Sequence, residues 1–357
     1  MRAFFSDDQL LHQPRQFMRV GRLAEPTDVP ARAAALQRAL AARAISVVAP
    51  PDYGRAPLET VHSPAYLDFL ASAYARWMAL ASPTLEPGLE VLPNLSPYLN
   101  GRIDKTRRGP CPSDSVIAQA GYYLGDLSCP LGAHSWRAIQ RSAHSAVAAA
   151  RHVCARNDGN GMAYALCRPS GHHAHSDRAS GFCYVNNSAI AAQTLLERFD
   201  KVAVLDVDAH HGDGTQQIFY QRSDVMTISL HADPNGYYPF YTGYATERGH
   251  GAGYGYNLNF PLAHGTADAG FLSALDSALD ALRDYRPQAL VLPLGFDTYL
   301  HDPISVLRVS LDAYRGIGER IHALGVPTVV VQEGGYEVDA IGMALESFLA
   351  GFAPALA

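Results

Sequence analysis

The run VAVLDVDAHHGDGTQ, Val202 to Gln216, opens as an apolar strand and then carries three aspartates and two histidines within the eight residues Asp206 to Asp213. A continuous apolar run, rather than an in/out alternation, is expected of a strand covered on both faces. Residues two apart on a strand share a face, so Asp206, Asp208 and His210 project to one side. Three polar side chains ending an apolar run are costly to bury unless they bind something. The same kind of run recurs outward from here, as MRAFF at Met1, ISVV at Ile45, MAYAL at Met162, VMTISL at Val225, ALVLPL at Ala289 and TVVV at Thr328. Between the runs lie helical stretches: PARAAALQRALAAR from Pro30, SPAYLDFLASAYARW from Ser63, WRAIQRSAHSAVAAARHV from Trp136, NSAIAAQTLLERF from Asn187 and FLSALDSALDALRDY from Phe271. Alternating β and α units predict an α/β fold, a mostly parallel sheet with helices on both faces. Ligands of such sheets bind beyond the carboxyl ends of the strands.

The whole chain, 1–357, is expected to form one large domain, because no repeat or linker divides it. Twenty-eight basic against 34 acidic residues leave a net charge of −6, which argues against nucleic acid as a partner. Hydrophobic residues at 48% against 17% charged exclude disorder as the dominant state. No window approaches the roughly 18 apolar residues of a membrane span, and MRAFFSDDQLLHQ is no signal peptide, so a cytoplasmic protein without a membrane partner is expected. Five scattered cysteines without CxxC spacing predict neither a disulfide framework nor a cysteine-based zinc site. One long irregular stretch, Ser82 to Ser113, contains six prolines and mixed charge. A loop of that length in a compact domain is usually functional or an interface.

Asp and His supply oxygen and nitrogen donors suited to zinc, and a catalytic site needs three protein ligands with a position left open. Asp297, just past the strand ALVLPL, completes a trio with Asp208 and His210, leaving Asp206 for a supporting or monovalent-cation role. His172 and His173 follow Gly171 in the loop after another strand. Hydrolysis at a metal needs a base for the water and an acid for the leaving group, and histidine does both near neutral pH when a partner fixes its tautomer. Asp206 and Asp213 are free to orient one histidine each. Gly334–Gly335 allow a tight turn that can present the Tyr336 phenol to a reacting carbonyl.

RPSGHHA, GFCYVNN, LDVDAHHGDGTQ, LGFDTYLHDP and EGGY together resemble the zinc-dependent, histone-deacetylase-like amidohydrolases of the arginase–deacetylase superfamily. The opening MRAFFSDD, the PCPSDS and AGYY segments and GYATERGHGAGYG are most similar to the bacterial acetylpolyamine amidohydrolases. The resemblance implies an eight-stranded sheet and one Zn²⁺ per chain on Asp208, His210 and Asp297. His173 would be the principal base and acid, His172 its electrostatic partner, and Tyr336 the oxyanion donor, with Asp206 and Asp213 hydrogen-bonded to the two histidines. It also implies K⁺ beneath the zinc at Asp206, Asp208, His210, Ser229 and Leu230, and a second K⁺ around Phe219, Arg222, Val225 and Tyr256. Phe182 and one of Tyr237 or Tyr238 would wall a substrate tunnel, with Gly181 and Gly334 also at the substrate. The 82–113 insertion would build a homodimer and narrow the tunnel mouth.

The reaction so implied is deacetylation of acetylated polyamines or similar small acylated amines. Acetyl-lysine protein deacetylation is the rival. Family members that take polyamines place carboxylates where this chain has Gln16-Phe17-Met18 and Val116-Ile117-Ala118, so Asp114, Glu86 or Glu90 would have to take that role. A binuclear manganese ureohydrolase needs an Asp-x-Asp where this chain has Asp297-Thr298-Tyr299, and a binding protein without activity requires a missing catalytic group, which this chain does not show.

Overall fold

The computed structural model describes residues 1–80, 86–97, 109–156 and 161–354. Its centre is an eight-stranded sheet in the order β4-β1-β5-β10-β9-β6-β7-β8. The strands are β1 (Arg2–Phe4), β4 (Val47–Val48), β5 (Met162–Ala165), β6 (Val202–Asp206), β7 (Val225–Ala232), β8 (Asn257–Leu262), β9 (Ala289–Leu294) and β10 (Thr328–Gln332), while β2 (Phe17–Arg19) and β3 (Arg22–Ala24) form a separate antiparallel hairpin. Every pairing in the large sheet is parallel. Each strand read from an apolar run is present. The eighth, β8, escaped that reading because NLNFPL alternates and contains a proline; its outer position, pairing only with β7, explains both.

The central strands β6, β9 and β10 are buried along their whole length, as two covered faces require. On one side α1 (Pro30–Ala42), α8 (Asp268–Tyr285), α9 (Leu311–His322) and α10 (Val338–Phe352) contribute Leu36, Leu279, Ile317 and Phe348 to a core shared with Leu205, Leu292 and Val330. On the other, α3 (Pro64–Met78), α5 (Ser135–Cys154) and α6 (Asn187–Leu195) pack Phe69, Val147 and Ile190 against Val204, Val291 and Val331. Alternate residues of one strand thus serve different cores, as the pleat dictates. The five helices expected from sequence lie within a few residues of their predicted bounds, except that α6 ends at Leu195, four residues before Phe199. Among the described residues five others were not foreseen: α2 (Ala56–Glu59), α4 (Val116–Tyr123), α7 (Asp213–Phe219), α9 and α10. Glycines inside α7 and α9, and the short span of α4, blur the helical period there.

The described parts of the 82–113 segment, residues 86–97 and 109–113, contain no helix or strand beyond a bridge between Val91 and Leu131. Trp77 holds one end by donating its indole N–H to the Gly88 carbonyl. Residues 82–85 and 98–108 of the predicted insertion lie outside the described residues. Among the described residues no helix is long and apolar enough to cross a membrane.

Candidate active site

The carboxyl ends of four sheet neighbours, β5, β10, β9 and β6, each deliver part of one cluster. Asp208 and His210 follow β6, Asp297 follows β9, Gly334 to Tyr336 follow β10, and His172 and His173 follow β5. Donor atoms of Asp208, His210 and Asp297 all lie within 4.8 Å of one another, and all three residues are buried. His210 Nδ1 is 2.8 Å from Asp297 Oδ2 and 3.2 Å from Asp208 Oδ1. The carboxylates are aimed by the backbone: Asp208 accepts from the N–H groups of His210 (2.9 Å) and Gly334 (2.8 Å), and Asp297 from that of Ala209 (2.9 Å).

Burial, then the charge of Asp208, pushes the Asp297 carboxyl up to about 7. Burial opposes charge on His210, yet its hydrogen bonds with both carboxylates raise it to about 9. Two carboxylates and an imidazole so crowded and dry fit a divalent cation, which would relieve the repulsion between the acids. Space is reserved as well. A Cβ on Gly334 would sit 2.6 Å from Asp208 Oδ2 and closer still to Asp297, so no side chain fits there.

Beside the trio stand two histidine–aspartate pairs. His172 Nδ1 lies 2.9 Å from Asp206 Oδ2, and His173 Nδ1 lies 2.7 Å from Asp213 Oδ1. A carboxylate only accepts, so each Nδ1 carries the proton it donates, and the Nε2 atoms are left for chemistry. The two rings are 4.0 Å apart at their centroids, yet they differ electrically. Burial works against charge on His172, but Asp206 and Asp208 hold its pKa well above the ordinary value. Burial, then the positive His172, pushes His173 down to about 4. One imidazole is therefore held charged and its neighbour neutral. Tyr336 is half-buried; its phenol is pushed well above 10 by burial, which Arg32 partly opposes, so it stays a proton donor. The Arg32 guanidinium lies 4.7 Å from the Tyr336 ring centroid.

The aromatics expected to wall a tunnel separate as follows. Phe182 meets Tyr336 at 5.8 Å and Phe17 of the hairpin at 5.4 Å. Tyr238 stands edge-on to His173 at 5.0 Å, whereas Tyr237 stacks on His210 at 4.4 Å and donates its hydroxyl to the Ile304 carbonyl. Of the two tyrosines, Tyr238 therefore faces His173 and Tyr237 backs the trio. Gly181, at φ +55°, abuts the His173 ring so closely that a Cβ would collide with it. Gly334 serves Asp208 through its N–H. Glu86 and Asp114 are exposed, and Glu90 is buried with Oε1 accepting from the Arg15 N–H.

Of the residues expected to hold K⁺, Asp206 at the end of β6 and Ser229 within β7 are register partners, beside the buried Leu230. The other set gathers at the opposite end of β7: Phe219 and Arg222 close the turn after α7, Val225 opens β7, and the Tyr256 carbonyl accepts from Thr227.

Sequence reasoning missed four supporting residues. His175 donates Nε2–H to Asp213 Oδ2 (2.9 Å), sharing the aspartate with His173. Glu333, fully buried, accepts from the N–H groups of Gly171 (2.7 Å) and His172 (3.1 Å) and from the Ser188 hydroxyl (3.0 Å). Asp302 accepts from the N–H groups of Tyr336 and Glu337. Arg32 donates to the carbonyls of Glu333 and Gly335 and pairs with Asp28. The signals were there: GHHAH, the Glu of EGGY, the Asp of LHDP and the first arginine of an alanine-rich helix.

A parallel α/β sheet whose strand ends assemble an Asp-His-Asp trio, two histidine–aspartate pairs and a half-buried tyrosine defines an amide hydrolase of the metal-dependent deacetylase class. Comparison with known proteins agrees: the histone deacetylase domain matches residues 24–352, and the chain belongs to that family. It is 46% identical to acetylpolyamine amidohydrolase of Burkholderia pseudomallei over 99% of this chain and 98% of the relative. It is 43% identical to acetylpolyamine amidohydrolase 1 of Pseudomonas aeruginosa over 99% of both. The crystal structure of the Burkholderia pseudomallei acetylpolyamine aminohydrolase superposes with a TM-score of 0.91, covering 99% of this chain and 98% of that one.

Proposed function

We propose that the protein is a zinc-dependent amidohydrolase that removes the acetyl group from small N-acetylated amines, acetylated polyamines above all, releasing acetate and the free amine. The observation that carries this reading is the two histidine–aspartate pairs, His172 with Asp206 and His173 with Asp213, set beside the Asp208–His210–Asp297 trio. The full-length similarity to acetylpolyamine amidohydrolases supports the substrate class. Zn²⁺ on the trio would supply Lewis-acid polarisation of the amide carbonyl and acidify the attacking water. His173 Nε2, neutral at pH 7, takes the water's proton, while Asp213 holds the ring in that tautomer and steadies the imidazolium formed. His172 keeps a positive charge beside it and favours developing negative charge. The Tyr336 hydroxyl donates to the carbonyl oxygen as it becomes anionic. His173 then returns its proton to the leaving nitrogen, so one water is consumed per amide cleaved.

The K⁺ residues named above are proposed to brace the ends of β6 and β7. The chain is proposed to act in the cytoplasm as one catalytic domain and as a homodimer through the 82–113 insertion, with no nucleic-acid or membrane partner. Acetate release from N-acetylputrescine by enzyme stripped with a chelator and then reloaded with Zn²⁺ tests the reading. Activity should vanish on stripping and return on reloading; a reloaded enzyme that releases no acetate contradicts it.

A further inference from the structure

The two tunnel walls come from segments far apart in sequence, Phe182 in the loop before α6 and Tyr238 in the loop after β7. A single carboxylate joins them. Asp126 lies between α4 and α5. Its Oδ2 accepts from the Gly181 N–H at 3.0 Å and from the Tyr238 hydroxyl at 2.7 Å. Its Oδ1 accepts from the Ser128 N–H at 2.9 Å and from the Ser128 hydroxyl at 2.6 Å. Ser128 Oγ in turn accepts from the Phe182 N–H at 3.3 Å. Four donors on two oxygens match the roughly four lone-pair sites of a carboxylate, so Asp126 is saturated as a bracket and is not left over for a substrate cation.

The hydroxyl of Tyr238 is the informative atom. A wall needs only the ring face, and this ring already packs edge-on against His173. The hydroxyl fixes the remaining rotation of the ring, and it does so on the group that also holds the Gly181–Phe182 backbone. Hydrogen bonds to a carboxylate are short and strong compared with neutral ones, which suits a fixed spacing. On the other side Phe182 is confined by Phe17 and Tyr336. Phe182 itself sits at φ +65°, a conformation that needs such external restraint.

We infer that Asp126 is a positioning residue that sets the width of the substrate tunnel by tying Tyr238 to the Gly181–Phe182 wall, and so selects slender, unbranched amine chains. The inference rests on the proposed amine substrates for its kinetic readout alone. The test compares wild type, Tyr238→Phe, Asp126→Ala and the double variant on N-acetylcadaverine and on an N-acetylated diamine with a methyl branch on the chain. One misplaced methyl in a fitted apolar channel is worth about 10–200-fold in kcat/KM. Tyr238→Phe is expected to reduce the linear-over-branched ratio of kcat/KM about tenfold, with the loss on the linear amide falling on KM more than on kcat. In the Asp126→Ala background the Tyr238→Phe change should alter that ratio less than about twofold, because the tie is already gone. Melting temperatures form the same cycle without any substrate, and the double variant should melt close to Asp126→Ala. Should Asp126→Ala fail to fold, Asp126→Asn, which keeps one acceptor oxygen, takes its place in both cycles. An unchanged ratio in Tyr238→Phe, or additive effects in the cycles, overturns the inference. A wild type that hydrolyses neither amine refutes the substrate reading instead, and the melting-temperature cycle still decides the bracket.

Discussion

At the scale of single residues, the site works by giving like groups unlike surroundings. His172 and His173 are neighbours in sequence and each pairs with an aspartate, yet Asp206 and Asp208 raise His172, whereas burial and then the charged His172 push His173 down despite Asp213. Their protonation states part for that reason, which is how one pair can supply both a fixed charge and a mobile proton. The same logic separates binding from catalysis among the other groups. Asp297→Ala removes a donor from the trio, so the purified variant should lose its metal as well as its turnover; elemental analysis showing wild-type zinc content would remove Asp297 from the ligand set. Tyr336→Phe deletes a hydroxyl that matters as the carbonyl oxygen becomes anionic. It should lower kcat by roughly 10²–10³ with zinc content intact. A kcat near the wild-type value would mean that the phenol does not act on the reacting carbonyl.

At the scale of elements, the loops after the strands are held by buried charges placed one element away. Glu333 at the end of β10 latches the Gly171–His172 backbone, and Arg32 of α1 latches the carbonyls of Glu333 and Gly335. Glu333→Ala leaves two buried N–H groups and the Ser188 hydroxyl without their acceptor, and should cost about 3 kcal/mol of unfolding free energy in a denaturant titration. A loss below about 1 kcal/mol would show that water replaces the carboxylate. These latches mark the limit of what could be read from the chain. The trio, the histidine pair and Tyr336 stand in short motifs at strand ends, where three-dimensional proximity follows from sheet order. Apolar runs made the inner strands legible for the same reason. Partners such as Asp126 for Tyr238, or Arg32 for Gly335, bridge more than a hundred residues, and no local pattern encodes which loop an isolated charge will reach. Helix α9, with glycines at 316 and 318, was hidden because its packing against α10, not its propensity, makes it helical: a Cβ on Gly318 would lie 2.7 Å from the Phe352 nitrogen.

For the molecule as a whole, burial of neutral histidines makes stability depend on acidity. His12, His62 and His231 are fully inside the fold and are each pushed down to about 4, by burial first and, for His12, by Arg168 next. In the unfolded chain they titrate near 6.5, so between these values the unfolded state binds more protons than the native one. Their contribution is complete above about pH 6.5 and is lost as the pH falls toward 4. Because the raised Asp297 and Glu333 carboxyls act in the opposite sense over the same interval, the histidines are followed one by one by NMR: His12, His62 and His231 should stay neutral down to about pH 5, and titration of their rings near 6.5 would contradict these environments.

Substrate choice belongs to the same scale. Phe182 and Tyr238, the proposed tunnel walls, are tied through Asp126, with Tyr238 edge-on to His173, which suits a narrow aliphatic chain. The exposed Phe240 and Tyr241 near the Tyr238 wall offer cation–π contacts of about 0.5–2 kcal/mol to a distal ammonium. The most direct measurement is kcat/KM of the zinc-loaded enzyme for N-acetylputrescine and N-acetylcadaverine beside an acetyl-lysine peptide. The diamines should be preferred by about ten- to a hundredfold; a peptide hydrolysed as well as either diamine would contradict the assignment to small acetylated amines.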